Sequence, residues 1–337
     1  MKQTSSDSDL DLLLNSFDRR GSLLILPHNN PDPDSLASAF ALKYLLSETL
    51  GMRSSIRFGG LIGRAENRAM IKHLKIPVGP IRESDFKRHK YTALVDTQPG
   101  AGNNSLPEKL IPTVVFDHHP PRKTILADHL DIRPGYGATI TIVWEYIKRA
   151  GVKISPNLAT AVAYAIGSET QDLGREASPY DKKAYLEVFP KSSLKKLSSI
   201  YHPKLSWEYF EVLHKAISNT CTRRHVIYCN LEDISNPDFV HQVADLLLRV
   251  ERKSWSFAMG RSDRTLFFSL RTTRTRAFAG KLLRKIIGKR GSAGGHDMMA
   301  GGRIKYENMP IKELKALEEE ILQKFLQLVD NNPKKTE

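Results

Sequence analysis

Aspartate and histidine recur in four short stretches of this 337-residue chain, and their spacing is the first sign of chemistry. The first stretch, HNNPDPDS from His28 to Ser35, carries His28, Asp32 and Asp34. The second is Asp96 at the end of YTALVD, and the third is the run Asp117-His118-His119 after TVVF. The fourth is IGSETQDLG, with Asp172. Singly, each has a plain structural use: a loop histidine, a capping aspartate beside Pro31 or Pro33, an acid at a strand end. The order matters, because each stretch follows an apolar segment, strand-like in the first three. Parallel strands of one open sheet deliver their carboxyl ends to a single crevice, so residues about 150 positions apart become neighbours.

Carboxylates gathered in that way need a counter-charge. Two of them about 4 Å apart repel by roughly 4 kcal/mol at an effective dielectric of about 20. Four or five together force protonation or recruit cations. Oxygen and imidazole donors without thiolate suit Mn2+ foremost, with Mg2+ as the alternative, better than structural zinc. About six such donors suffice for two ions that share one carboxylate.

The elements that must position these residues can be read from the hydrophobic pattern. Strands are expected at Ser22–Pro27, Ser54–Phe58, Tyr91–Asp96 and Thr113–Phe116. Helices are expected at Ser35–Leu50 with Ser35 as its cap, at Arg64–Leu74, near Ala138–Ala150 and at Leu158–Gly167. Strands alternating with helices imply an α/β domain with a mostly parallel sheet flanked by helices. Leu10, Leu12, Leu13, Leu14 and Phe17 suit an N-terminal amphipathic helix packed on it. Residues 179–219, broken by Pro190 and Pro203, read as a helical connector. A smaller α/β unit follows, with strands near His225–Asn230, Trp255–Gly260 and Thr265–Arg271 and helices at Pro237–Val250 and Ala277–Gly288. The last helix starts at Pro310. The expected division is 1–178, 179–219, 220–330 and a polar tail at 331–337.

Composition is that of a globular chain, with 40% hydrophobic and 26% charged residues. Only Cys221 and Cys229 are present, which fits neither a disulfide framework nor a zinc site and points to the cytoplasm. The N-terminus lacks the pattern of a secretory signal, and no apolar run approaches the roughly 20 residues of a membrane span. The formal net charge is +14 and unevenly spread. Between Glu251 and Arg290 twelve Lys and Arg face two acids, a local net of +10, which attracts phosphate-rich partners. In the same half, Gly294, Gly295, Gly301 and Gly302 surround His296 in AGGHDMMAGG, a pattern suited to an anion nest, with Arg271 on the preceding strand.

The ordered set of motifs resembles the DHH phosphoesterase superfamily, from about Ser22 to Gly302. HNNPDPDS resembles its first motif, Asp96 its second, Asp117-His118-His119 its third and Asp172 its fourth. LRTTRTRAFAGKLLRKIIGKRGSAGGHDMMAGG resembles its associated C-terminal domain. Length and layout are most similar to the nano-RNase and adenosine 3′,5′-bisphosphate phosphatase group, related to RecJ-type exonucleases. The resemblance implies His28, Asp32 and Asp96 on one metal and Asp34, Asp96, His118 and Asp172 on the other. It further implies Asp117 as an orienting group, His119 at the scissile phosphate, and Arg271, Gly294, Gly295 and His296 on the end of the substrate. Short single-stranded oligonucleotides or phosphorylated nucleotides are the expected substrates, cut through two divalent ions. A homodimer is compatible with the reading, and a membrane partner is not expected. Pro33 departs from the superfamily, which has Gly between the two aspartates of its first motif. Two rivals stand: a pyrophosphatase or exopolyphosphatase of the same superfamily, and a non-catalytic nucleic-acid-binding protein.

Overall fold

Two compact units, Met1–Lys204 and Leu205–Glu337, make up the chain. The computed structural model describes residues 6–18, 20–295 and 297–330. The polar tail and His296 therefore lie outside the described residues. Among the described residues no helix is long and apolar enough to cross a membrane.

The first unit contains, in chain order, α1 (Ser6–Asn15), β1 (Ser22–Pro27), α2 (Pro33–Leu50), β2 (Arg53–Phe58), α3 (Ala65–Leu74), β3 (Val78–Pro80) and α4 (Glu83–Arg88). It continues with β4 (Tyr91–Val95), β5 (Val114–Asp117), β6 (His129–Ile132), α5 (Thr139–Arg149), α6 (Pro156–Glu169), α7 (Pro179–Val188) and α8 (Leu194–Tyr201). Its sheet runs β3-β2-β1-β4-β5-β6, and every pairing is parallel. Alternation along β1 explains why a run of SLLILP becomes a central strand. Leu23 and Ile25 join the larger core with residues of α2, α5 and α6, while Leu24 and Leu26 join Leu94 and Val115 in a smaller cluster on the other face. A strand buried on both faces reads as a continuous apolar run. Each such leucine contributes about 1.5–3 kcal/mol on burial.

That strand order also fixes the site. The chain leaves β1 towards β2 and β3, then returns to β4 beside β1 and proceeds to β5 and β6. The connections after β1 and β4 therefore part in opposite directions and open a crevice at their carboxyl ends. His28 is the first residue after β1, and Asp96 the first after β4.

Local chemistry sets the helix starts. Asp32, not Ser35, is the N-cap of α2: its Oδ1 accepts from Ser35 N at 2.9 Å, and the Ser35 hydroxyl accepts from Asp32 N at 3.1 Å. Pro33 occupies the first helical turn, where its missing N–H has no intrahelical partner to lose. The departure at Pro33 is thus accommodated by the helix it begins. In α1, Leu13 and Phe17 just beyond it are buried, but Leu12 faces outward. Of the 179–219 stretch, α7 and α8 fall within the first unit.

The second unit holds α9 (Trp207–Ser218), β7 (Thr220–Arg223), β8 (Val226–Asp233), α10 (Asp238–Leu247), β9 (Trp255–Ser262) and β10 (Thr265–Thr272). It ends with α11 (Ala279–Ile287), β11 (Ser292–Gly295), β12 (Met299–Lys305) and α12 (Ile311–Asp330). Its sheet, β11-β12-β10-β9-β8-β7, is antiparallel except for β8 with β9, which α10 connects. Within the glycine-rich stretch, β11 and β12 pair antiparallel, with Gly294 opposite Gly301 and Gly295 opposite Ala300. Its small residues permit close packing. A Cβ on Gly280 of α11 would meet the Gly295 carbonyl oxygen at 2.4 Å. Along α11, Leu283, Ile286 and Ile287 are buried while Lys281, Arg284 and Lys285 are exposed. Cys221 and Cys229 are free thiols.

Candidate metal centre

Two groups of three side chains, sharing Asp96, could each hold a cation: His28 with Asp32 and Asp96, and Asp96 with His118 and His119. Within each group the donor atoms lie within 4.8 Å of one another. His28 Nε2 stands 3.3 Å from Asp32 Oδ2 and 3.6 Å from Asp96 Oδ2. His118 Nε2 stands 3.6 Å from Asp96 Oδ1, and His119 Nδ1 is 3.7 Å from the same oxygen. Asp96 itself follows β4 with φ of 59°, a left-handed conformation that costs an L-residue energy and is found where surrounding structure imposes it.

Backbone carbonyls fix the tautomers of two rings. His28 Nδ1 donates to Asn29 O at 2.9 Å, and His118 Nδ1 donates to Tyr136 O at 3.1 Å. Each ring then turns Nε2, the atom with a lone pair in the neutral form, towards the carboxylates. His119 differs. Its Nδ1 donates to Asp117 Oδ1 at 2.8 Å, and the ring is the most exposed of the three. Buried Gln98 donates to the other Asp117 oxygen at 2.6 Å.

Asp34 lies buried beside these groups rather than in either. Its oxygens accept from Thr139 N at 2.7 Å and Ile140 N at 2.8 Å, the first turn of α5, and Thr139 Oγ1 donates to Asp96 Oδ1 at 2.8 Å. Asp172 is not brought in: it is exposed, and one oxygen accepts from Tyr201 Oη at 3.3 Å. The acid that does interact with Asp32, Asp34 and His118 is Glu169, at the end of α6. Just beyond it residues 171–173, Asp172 among them, wind left-handed.

The electrostatics show like charges compressed together. Burial, and then the neighbouring Asp96 charge, push Asp34 up to about 8. Asp96 is raised well above the usual carboxylate range by burial and by Asp32. Burial and the Asp32 and Asp34 charges push Glu169 up to about 7. Burial opposes charge on the imidazoles, yet Asp32 and Asp96 hold His28 up to about 10, and Asp96 and Asp34 hold His118 up to about 9. Asp32 and Asp117 go the other way. Burial raises Asp32, but the His28 charge and hydrogen bond bring it below its ordinary value. Burial raises Asp117 too, but the His119 hydrogen bond and charge and the Gln98 amide bring it below its ordinary value. Oxygen and imidazole donors around a compressed set of carboxylates fit divalent cations.

Family models match both halves of the chain: the DHH family N-terminal domain over residues 22–166, and the DHHA1 domain over residues 223–331. The chain belongs to the DHH phosphoesterase superfamily. An uncharacterized protein of Methanocaldococcus jannaschii is 35% identical over 322 residues, covering 93% of this chain and 65% of that protein. A probable manganese-dependent inorganic pyrophosphatase of Lactobacillus helveticus is 27% identical over 168 residues, 50% of this chain and 53% of its own length. The chain thus spans half to two thirds of these curated relatives. Among solved structures, an exopolyphosphatase-related protein from Bacteroides fragilis shares the fold with a TM-score of 0.74 at 14% identity, covering 97% of this chain and 99% of its own.

Within this superfamily chain, Glu169, Gln98, Thr139 and Tyr136 are the residues that motif reading missed. Only Glu169 left a signal, since it stands three positions before Asp172 in the same acidic stretch. The others act through a backbone carbonyl, an amide or a helix N-terminus, which residue type does not announce. In the second unit, Arg271 is largely buried, with Nε donating to Asp245 Oδ1 at 2.5 Å and Nη1 to Leu270 O and Ala300 O.

Proposed function

We propose that this chain is a divalent-cation-dependent phosphoesterase that hydrolyses short oligonucleotides or nucleotide phosphates at a dinuclear centre. The observation that carries the reading is Asp96, one buried carboxylate whose two oxygens each face an imidazole, Oδ2 at 3.6 Å from His28 Nε2 and Oδ1 at 3.6 Å from His118 Nε2. His28 and Asp32 would hold one cation, with His118, Asp34 and Glu169 at the other and Asp96 common to both. Mn2+ is the preferred metal. When bound, such ions supply Lewis acidity towards a phosphoryl oxygen and lower the pKa of water near neutral pH.

The protein's own groups do the rest. His119, with Asp117 at Nδ1 and Gln98 behind Asp117, is aligned to donate to a phosphate oxygen whose charge grows during hydrolysis. Carbonyls of Asn29 and Tyr136 keep His28 and His118 in the ligating tautomer. In the second unit, Arg271, Gly294, Gly295 and His296 are the proposed contacts to substrate phosphate. Supporting this, Arg271 pairs in register with Met299, at the end of the sheet where β11 stops and β12 begins. The exposed cations of α11 support a polyanionic substrate.

A second reading, inorganic pyrophosphate as substrate, is favoured by the likeness to the Lactobacillus helveticus protein. A hydrolysis panel with Mn2+ over a dinucleotide, adenosine 3′,5′-bisphosphate and pyrophosphate separates the two. Turnover of the dinucleotide or bisphosphate is expected; turnover of pyrophosphate alone would favour the second reading, and none at all would overturn both.

A further inference from the structure

Three residues of the metal centre are held by one short segment that runs from the β6–α5 connection into the first turn of α5. Tyr136 O accepts from His118 Nδ1, Thr139 N and Ile140 N donate to Asp34, and Thr139 Oγ1 donates to Asp96. What holds the segment is Asp181, in the first turn of α7 and completely buried. Its Oδ2 accepts from Gly137 N at 2.7 Å, Ser178 N at 2.8 Å and Ser178 Oγ at 2.5 Å, and its Oδ1 accepts from Thr141 Oγ1 at 2.5 Å. Gly137 is enclosed as well: a Cβ there would meet Glu176 O at 2.7 Å and Asp181 Oδ2 at 2.8 Å.

Part of this arrangement is a helix cap. Ser178 and Asp181 form the reciprocal cap of α7, and that needs only the bonds between those two residues. The bonds to Gly137 and Thr141 span 44 and 40 residues and cap nothing in α7. They clamp the segment on both sides of Thr139 and Ile140, the donors to Asp34 and Asp96. An ionised carboxylate suits the place because it only accepts, at up to about four lone-pair positions.

We propose that Asp181 is a positioning residue for the metal centre, tying the 136–141 segment to α7 so that His118, Asp34 and Asp96 keep the spacing that two cations require. The inference rests on the dinuclear reading above. It explains why a carboxylate without any cationic partner among its hydrogen bonds is kept wholly inside the fold: four neutral donors, two of them from the segment that builds the site, take the place of a counter-ion.

The test measures Mn2+ affinity of the full chain by electron paramagnetic resonance, with Mn2+ alone as the probe, alongside thermal melting. In Asp181→Asn the amide nitrogen turns a donor against a donor, and Mn2+ affinity is expected to fall at least about tenfold with native circular dichroism. Ser178→Ala, which weakens the cap and leaves the carboxylate, should lower the melting temperature while affinity stays within about threefold. Thr141→Val removes one clamp bond and serves if Asp181→Asn fails to fold; a loss of at least about threefold is expected. A folded Asp181→Asn or Thr141→Val chain with wild-type affinity overturns the proposal. So does Ser178→Ala losing as much affinity as Asp181→Asn, because Asp181 would then be only a cap. A wild-type chain that binds Mn2+ but cleaves no phosphoester refutes the enzymatic reading alone, whereas one that binds no Mn2+ refutes both.

Discussion

In the first unit, burial and the charge of Asp96 raise Asp34, burial and the charge of Asp32 raise Asp96, and imidazoles are the counter-charges beside them. In the mixed sheet of the second unit, buried charge is matched with opposite charge. Arg261 Nε lies 3.0 Å from Asp233 Oδ1 and its Nη1 3.4 Å from Glu318 Oε1, and Asn230 completes Glu318 with a 2.9 Å hydrogen bond. Both kinds of burial are costly. The matched kind is balanced inside the fold, so its service is structural. The compressed kind is balanced only by protons or by cations from outside, which is what a binding site requires.

Substitutions can sharpen or break that contrast. Asp96→Asn should cut Mn2+-dependent hydrolysis by about a thousandfold or more, since metal charge stabilisation amounts to several kcal/mol and each ~1.4 kcal/mol is a factor of ten. Its melting temperature in chelator should equal or exceed that of wild type, because one like charge is gone; a sharp fall would contradict the picture of compression. Glu318→Ala should do the opposite, costing about 3 kcal/mol in denaturant titration while Mn2+ affinity stays unchanged, because Arg261 loses its buried partner. Adding Mn2+ at about 100 times its dissociation constant should stabilise the first unit by about 2.7 kcal/mol, readable as a shifted melting transition. The smallest effects compare two acids of one stretch. Glu169→Gln should weaken Mn2+ binding by about tenfold. Asp172→Ala, on the surface, should change it by no more than about twofold.

Much of the first unit could be read from its residues because its rules are local. Apolar runs of strand length announced β1, β4 and β5, and their alternation with helices implied the parallel sheet that gathers His28, Asp96 and His118. The short strands β3 and β6 and the glycine-rich β11 and β12 carry too little apolar pattern to be told from loops. At Asp32 the error was one of role. A capping box is reciprocal, and Ser35 looked like the cap when it is the residue that answers it. Glu169 was missed for a similar reason. α6 runs on to Glu169, and three left-handed residues then carry the chain away, a conformation that non-glycine residues do not advertise. In the paired strands β11 and β12, a Cβ on Gly295 or Gly302 would meet neighbouring atoms, a packing use of glycine that residue type alone does not reveal.

The bonds from Thr139 and Ile140 to Asp34 reach across 105 and 106 residues. Contacts of such span form late, after the intervening chain has been ordered. A polypeptide still emerging from the ribosome therefore carries His28, Asp32, Asp96 and His118 long before it can fix Asp34. Until the start of α5 has been made and docked, the chain has donors for metal but no finished pocket. A fragment truncated ahead of α5 should be unable to hold paired ions, however completely it retains the four motif residues.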